Sequence, residues 1–200
     1  MKADQSSVDK APGVGRPRDP RIASAIMSAT AELLVEIGYS SLSVAAVAER
    51  AGTTKSALYR RWSSKAELVH EAAFPVAPTA LQSPAGDIAT DVRMMIEATR
   101  DVFTTPVVRA ALPGLVADMT ADADLNARVM SRFIDLFAAV RMRLQDAVDR
   151  GEAHPGVDPD RLIELIGGAT MLRMLLRPDE KLDDAWVDQT ASIVLHGVTG

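Results

Sequence analysis

The sequence predicts an all-α protein, with an N-terminal three-helix helix-turn-helix head and a larger C-terminal helical body. Apolar residues recur at three- and four-residue steps along most of the chain, and no stretch alternates convincingly with a period of two. Capping residues and helix-ending Gly or Pro punctuate these stretches. Pro75, Pro78, Ser83, Pro84 and Gly86 cluster in one break, which separates residues 19–74 from residues 75–200, behind an N-terminal arm of residues 1–18.

The arm is polar, with scattered Asp, Ser, Gly and Pro, and is expected to be disordered. It holds Gly15-Arg16-Pro17-Arg18. An extended Arg16 and Arg18 pair suits a narrow, electronegative minor groove of DNA; the same residues also serve as a solubilising tail. Ile22 to Ile37 reads as the first helix, with Ile22, Ile26, Ala29, Leu33 and Ile37 on one side and Gly38 at its end. Ser43 caps a second helix that carries Val44, Val47 and Ala48. Gly52 ends it, because a residue without a Cβ enters left-handed dihedrals freely. Thr54 caps a third helix, about Lys55 to Arg61, and the capping box Ser64-Lys65-Ala66-Glu67 opens another that runs to about Phe74. A helix, a short Gly-containing turn and a second helix make a helix-turn-helix.

The Lys55–Arg61 helix has the chemistry of a DNA reader. Leu58 and Trp62 lie four positions apart on one face and can anchor it on a core. Ser56, Ala57 and Arg60 then point away toward base edges, flanked by Lys55, Tyr59 and Arg61. Ser43, Thr54, Tyr59 and Lys65 are placed to hold phosphates, two of them at helix N-termini, where free N–H groups favour anions. By composition alone the same face also suits a solvated amphipathic helix. The specific residues go further. Ala51-Gly52, Thr53-Thr54, Lys55, Leu58-Tyr59, Arg60-Arg61, Trp62, Ser64-Lys65 and Leu68 fall in register on the pattern of the TetR family of transcriptional regulators, with Trp62 where that family more often has Phe. This part of the chain, from about Arg21 to Leu68, closely resembles that family. The resemblance implies binding of double-stranded DNA at a palindromic operator by a homodimer, and release by a small-molecule effector.

The body is helical in pattern throughout. Ile88, Val92, Met95, Ile96, Thr99 and Phe103 share one side of a helix from Asp87 to Thr104. Thr105-Pro106 opens a short helix to about Leu112, which Pro113-Gly114 breaks or kinks. Leu125 to Arg150 is expected to be the longest helix, with Met130, Phe133, Ile134, Phe137, Arg141, Leu144 and Val148 as its inner stripe. Asp158-Pro159 starts the next, to about Leu176, and a last helix runs from about Asp184 to His196. Leu162, Leu165, Ile166, Ala169, Leu172 and Leu176 line one side of the former, and Trp186, Thr190, Ile193 and Val194 one side of the latter. The adjacent Gly167 and Gly168 suggest close helix approach, since each costs about 1 kcal/mol against Ala in a helix. The resemblance implies that these two helices, residues 158–198, form the dimer interface; a monomeric bundle is the alternative.

Composition narrows the function classes. The chain of 200 residues is 48% hydrophobic and 24% charged, ordinary for a globular protein. No run of eighteen apolar residues indicates a membrane span, and no apolar segment at the N-terminus indicates a signal peptide. The absence of cysteine excludes disulfides and thiolate metal sites and suits a cytoplasmic protein. The net charge of −5 is unevenly spread: Val14 to Lys65 carries eight Lys or Arg against four Asp or Glu, and Pro75 to Gly200 twelve against nineteen. A basic head on an acidic body is compatible with DNA binding. His70, His154 and His196 have no metal-ligand spacing and read as surface or loop residues, and no phosphate-binding or nucleophile motif is present. No metal, cofactor or catalytic group is therefore expected, and an all-helical small-molecule-binding protein or enzyme is the alternative class. Met95, Phe103, Met119, Phe133, Phe137 and Met171 supply adaptable apolar side chains for an effector pocket, with Arg141, and with it Arg100, as candidates to orient a ligand. The competing reading makes the methionines ordinary core.

Overall fold

The computed structural model describes residues 20–75 and 86–198. Among them are ten α-helices and no strand: α1 (Pro20–Ser41), α2 (Val44–Arg50), α3 (Lys55–Tyr59), α4 (Lys65–Ala73), α5 (Ile88–Phe103), α6 (Pro106–Ala121), α7 (Ala123–Ser131), α8 (Ile134–Asp149), α9 (Pro159–Leu176) and α10 (Asp184–Val198). The arm with Arg16 and Arg18 lies outside the described residues.

Local chemistry sets most of the boundaries. Thr105 Oγ1 accepts a hydrogen bond from the Val108 amide at 3.3 Å, Asp87 Oδ1 one from the Thr90 amide at 2.7 Å, and Asp158 Oδ1 one from the Asp160 amide at 2.9 Å. Gly38 adopts φ 73° inside α1 and sets a kink before Tyr39. The Ser64 box closes on one side only. Ser64 Oγ accepts from the Glu67 amide at 3.2 Å, but the Glu67 carboxylate turns to the Ser63 amide and hydroxyl instead.

Two apolar clusters hold the helices together. The first packs Ile26, Leu34, Val47, Leu58, Trp62 and Val69 of the head against Val108, Leu115, Leu125 and Val129. It therefore runs across the Pro-rich break near residue 75. The second joins Val92 and Ile96 of α5 to Leu144 of α8, Ile166 of α9 and Val187 of α10. Burying each such side chain contributes about 1.5–3 kcal/mol. Arg21–Ser41 is long and apolar enough to cross a membrane by composition, yet it carries Ile26, Ala29, Leu33 and Leu34 into the first cluster.

Two expectations need correction. α6 does not stop at Leu112; it continues through Pro113 to Ala121. Gly114 is there for a tertiary reason: a Cβ on it would lie 2.1 Å from Tyr39 Cδ1, so α6 crosses the end of α1 at a spot that admits no side chain. The long helix from Leu125 to Arg150 is two helices, separated at Arg132-Phe133. That break resets the phase of the inner face, so Val140, Arg143, Leu144 and Ala147 are buried, whereas Ile134 and Arg141 face solvent. Within the protomer, nothing lies within 4 Å of a Cβ built on Gly167 or Gly168.

Candidate nucleic-acid interface and body cavity

The reading unit is built from the bottom by Leu58 and Trp62, 1% and 4% exposed, which fix α3 on the first cluster. Trp62 Nε1 donates to Glu71 Oε2 at 3.0 Å, tying the end of the unit to α4. Gly52, at φ 62°, makes the turn between α2 and α3. Above that base, Lys55, Ser56, Tyr59 and Arg60 are exposed and Ala57 is half-buried. Ser43 Oγ accepts from the Ala46 amide at 3.1 Å and Thr54 Oγ1 from the Ala57 amide at 3.2 Å. Each hydroxyl keeps its own O–H to donate to a phosphate oxygen. Among the described residues, Lys55 and Arg60 have no carboxylate partner, in contrast to Arg93, Arg100, Arg128, Arg132 and Arg150 of the body. Lys65 differs from this group. Its ammonium donates to the Tyr39 carbonyl at 3.0 Å and lies 4.1 Å from the centre of the Tyr39 ring, so it clamps α4 to α1.

Tyr39 is the hinge of that clamp. Its hydroxyl donates to the Asp118 carboxylate on α6. Burial first, and then the hydrogen bond to Asp118 and its charge, hold the phenol protonated far above its usual range. Two ion pairs one turn apart fasten α4 to α7 and its C-terminal end: Glu67 with Arg128 Nε at 2.5 Å and Glu71 with Arg132 at 2.9 Å. Burial raises the Glu67 pKa, but the Ser63 amide and hydroxyl and the Arg128 guanidinium outweigh it and hold the carboxyl below the usual range.

Behind α4 the body forms a cavity of about 330 Å³ that opens partly to solvent. Six of the residues anticipated for an effector pocket line it: Met95, Phe103, Met119, Phe133, Phe137 and Met171. Arg141 does not. It lies outside the cavity, paired with Asp160 at 2.6 Å, because α8 starts in a different phase from the one assumed. Arg100 is likewise committed elsewhere, to Asp101 at 2.9 Å and Asp184 at 2.7 Å. Among the described residues the lining carries no charged side chain, and its polar side chains are Thr99 and His70. The Thr99 hydroxyl is already used, donating to the Met95 carbonyl at 2.7 Å.

His70 was expected at the surface and is instead 3% exposed. Its ring stacks on Phe74 at 5.1 Å and meets the edge of Phe133 at 5.5 Å. Neither ring nitrogen has a hydrogen-bond partner, a deficit worth about 1–3 kcal/mol for a buried polar group. Burial, and secondarily the Arg132 charge, push its pKa down to about 4, so the imidazole is neutral at pH 7. A signal was present in the sequence: His70 shares a helix face with Ala66, Val69 and Ala73, all buried. The reading of the sequence also missed Arg143, 7% exposed and bonded to Asp91 at 2.6 Å inside the second cluster.

Comparison with known proteins agrees with this architecture. The family described as "Bacterial regulatory proteins, tetR family" matches residues 26–72, and "Tetracyclin repressor-like, C-terminal domain" matches residues 83–194. The HTH-type transcriptional regulator Mb1581 of Mycobacterium bovis is 33% identical over 192 residues, covering 92% of this chain and 93% of the relative. The DNA-binding transcriptional repressor TetR of Mycobacteroides abscessus is 31% identical, over 86% of this chain and 90% of its own. The crystal structure of the TetR family transcription regulator SCO0332 superposes with a TM-score of 0.68 at 31% identity, covering 89% of this chain and 98% of that one. A capped helix-turn-helix with exposed cations, packed on a helical body that holds a cavity, thus has relatives over nearly its whole length: the chain belongs to the TetR family of DNA-binding transcriptional regulators.

Proposed function

We propose that the protein is a dimeric, cytoplasmic repressor whose operator affinity falls when an apolar small molecule enters the body cavity. The observation that carries this is that α4 belongs to both parts: Lys65 at its start is bonded to the head, and His70 and Phe74 near its end line the cavity. A volume of about 330 Å³ is in the range of small-molecule sites, whose lower end is roughly 300 Å³. Arg60, Ser56 and Ala57 would read bases in the major groove, with Ser43, Thr54, Lys55, Tyr59 and Lys65 holding the backbone and Arg16 and Arg18 of the arm reaching the minor groove.

Dimerisation is supported by the outer face of α9. Leu165, Leu172 and Leu176 are 62%, 58% and 71% exposed and, with Ala169, form a stripe at helical spacing. Leu162, Ile166 and Met174 occupy the opposite, buried face, so α9 is apolar on both sides. On α10, Val187, Ala191 and Val194 point inward, and Ile193, 76% exposed, extends the outer apolar surface. Burying such a stripe against its own copy is the simplest closed assembly. The test is a gel shift with DNA from the protein's own locus, repeated with compounds that raise the melting temperature. Supershifted, compound-sensitive binding is expected; a protein that binds none of this DNA at low salt, or whose binding no stabilising compound alters, would overturn the reading.

A further inference from the structure

We propose that the cavity's ligand is an apolar molecule with one neutral oxygen function, a hydroxyl or carbonyl, and that His70 is the residue that binds this group. The inference rests on the effector reading above and specifies its chemistry. Among the described residues, every wall of the cavity is hydrocarbon, thioether or aromatic except at His70 and Thr99, and the Thr99 hydroxyl already donates along its own helix. His70 is the polar group left with both a donor and an acceptor unmatched. A site of this kind excludes ions, because nothing in the lining compensates the loss of their hydration. It rewards a molecule that brings one oxygen to the imidazole, since the hydrogen bond satisfies a group that is otherwise buried unpaired. The Phe74 and Phe133 rings cover the imidazole now, and both also line the cavity, so an entering ligand reaches His70 by shifting an aromatic edge rather than backbone.

The neutral state of the imidazole fits this role. As an uncharged ring it can donate to a carbonyl or accept from a hydroxyl, and it has no attraction for a carboxylate beyond one ordinary hydrogen bond. The size of the cavity fits a chain or ring system of about ten carbons.

The test is titration calorimetry on the full chain with decanol, decane and decanoate as probes, for the wild type and for His70→Phe, which keeps an aromatic ring and removes the unmatched polar atoms. In the wild type, decanol should bind about ten- to a hundredfold more tightly than decane, and decanoate no better than decane. In His70→Phe the preference for decanol should fall to within about threefold, with decane binding retained. Equal binding of decanol and decane by the wild type, or a preference that survives in His70→Phe, would overturn the role of His70 while leaving the cavity reading intact. Decanoate as the tightest ligand would overturn the neutral ligand class. Binding of no probe by either protein would overturn the cavity reading and this inference together. The wild-type comparison stands even where the variant folds poorly.

Discussion

Replacing Gly114 by alanine should weaken the joint between head and body. The added Cβ would lie 2.1 Å from Tyr39 Cδ1, 2.5 Å from Cγ and 2.7 Å from Cε1. These atoms are the root of a ring and cannot swing aside like the end of a long side chain. Tyr39 is also held at three points: by its burial, by Asp118 through its hydroxyl and by Lys65 through its carbonyl. Overpacking costs about 1–3 kcal/mol. Displacing the hydroxyl from a charged acceptor costs roughly another 1.5–3 kcal/mol. Alanine returns about 1 kcal/mol of helix propensity. The expected net loss is about 2–5 kcal/mol, and at about 2–4 °C per kcal/mol for a chain of this size the melting temperature should fall by roughly 4–20 °C. Gly167→Ala is the control, because its Cβ meets nothing within 4 Å and should give a small gain from propensity alone. Thermal unfolding followed by far-UV circular dichroism compares the two. A Gly114→Ala protein at least as stable as the wild type would refute the reasoning, since propensity would then outweigh the contact.

Three other perturbations follow from the same structure. Arg60→Ala should relax operator sequence preference by about 1–3 kcal/mol, read by gel shift against a panel of single-base variants, whereas a backbone-contacting Lys55→Ala should weaken all sequences alike and flatten the salt slope by about one unit; an unchanged preference removes Arg60 from base reading. Ala169→Arg should place a charge in the middle of the outer stripe of α9 and leave monomers by light scattering, and a variant still dimeric at micromolar concentration would locate the interface elsewhere. His70 should make stability depend on pH: between pH 6.5 and about 4 the unfolded chain takes up a proton that the folded chain refuses, so stability falls with falling pH, by about 3 kcal/mol near pH 4, and urea midpoints of His70→Phe should lack this component.

What was legible in the sequence was local. Ser43, Thr54, Ser64, Asp87, Thr105 and Asp158 each cap a helix by bonding an amide two or three residues on, so the signal and its consequence lie within one turn. The apolar lining of the cavity was legible too, because Met and Phe at helical spacing on several helices must converge somewhere. Where the reading failed, the cause lay across the fold. Pro113 and Gly114 look like a helix end, but Gly114 serves contact with Tyr39, seventy-five positions earlier, and helical packing overrides the single hydrogen bond that Pro113 cannot make. The break at Arg132-Phe133 has no Gly or Pro to announce it; Phe133 is held there by the rings of His70, Phe74 and Phe137. Extending one helical phase through that break turned Arg141 inward and passed over Arg143, whereas Arg143 is the buried one.

How a ligand in the cavity could be felt at the DNA follows from the dimensions of α4. Its nine residues span about 13 Å as a straight helix. Within that length it bonds Tyr39 through Lys65, Arg128 through Glu67, and Trp62 and Arg132 through Glu71, and it meets the cavity at His70, with Phe74 just past its end. A rigid element this short cannot move at one end alone. A ligand that shifts His70 must move Glu71 next to it, and Glu71 accepts the indole N–H of the residue that seats the reading helix. A hundredfold loss of operator affinity requires about 2.7 kcal/mol of coupling. A hydrogen bond to a charged acceptor is worth about 1.5–3 kcal/mol, so resetting the Trp62–Glu71 link alone supplies most of that coupling. Trp62→Phe keeps the ring under α3 and removes only its N–H. It should therefore leave operator binding near the wild-type level and reduce its response to a bound ligand. A variant whose response is unchanged would route the coupling through Lys65 and Tyr39 instead.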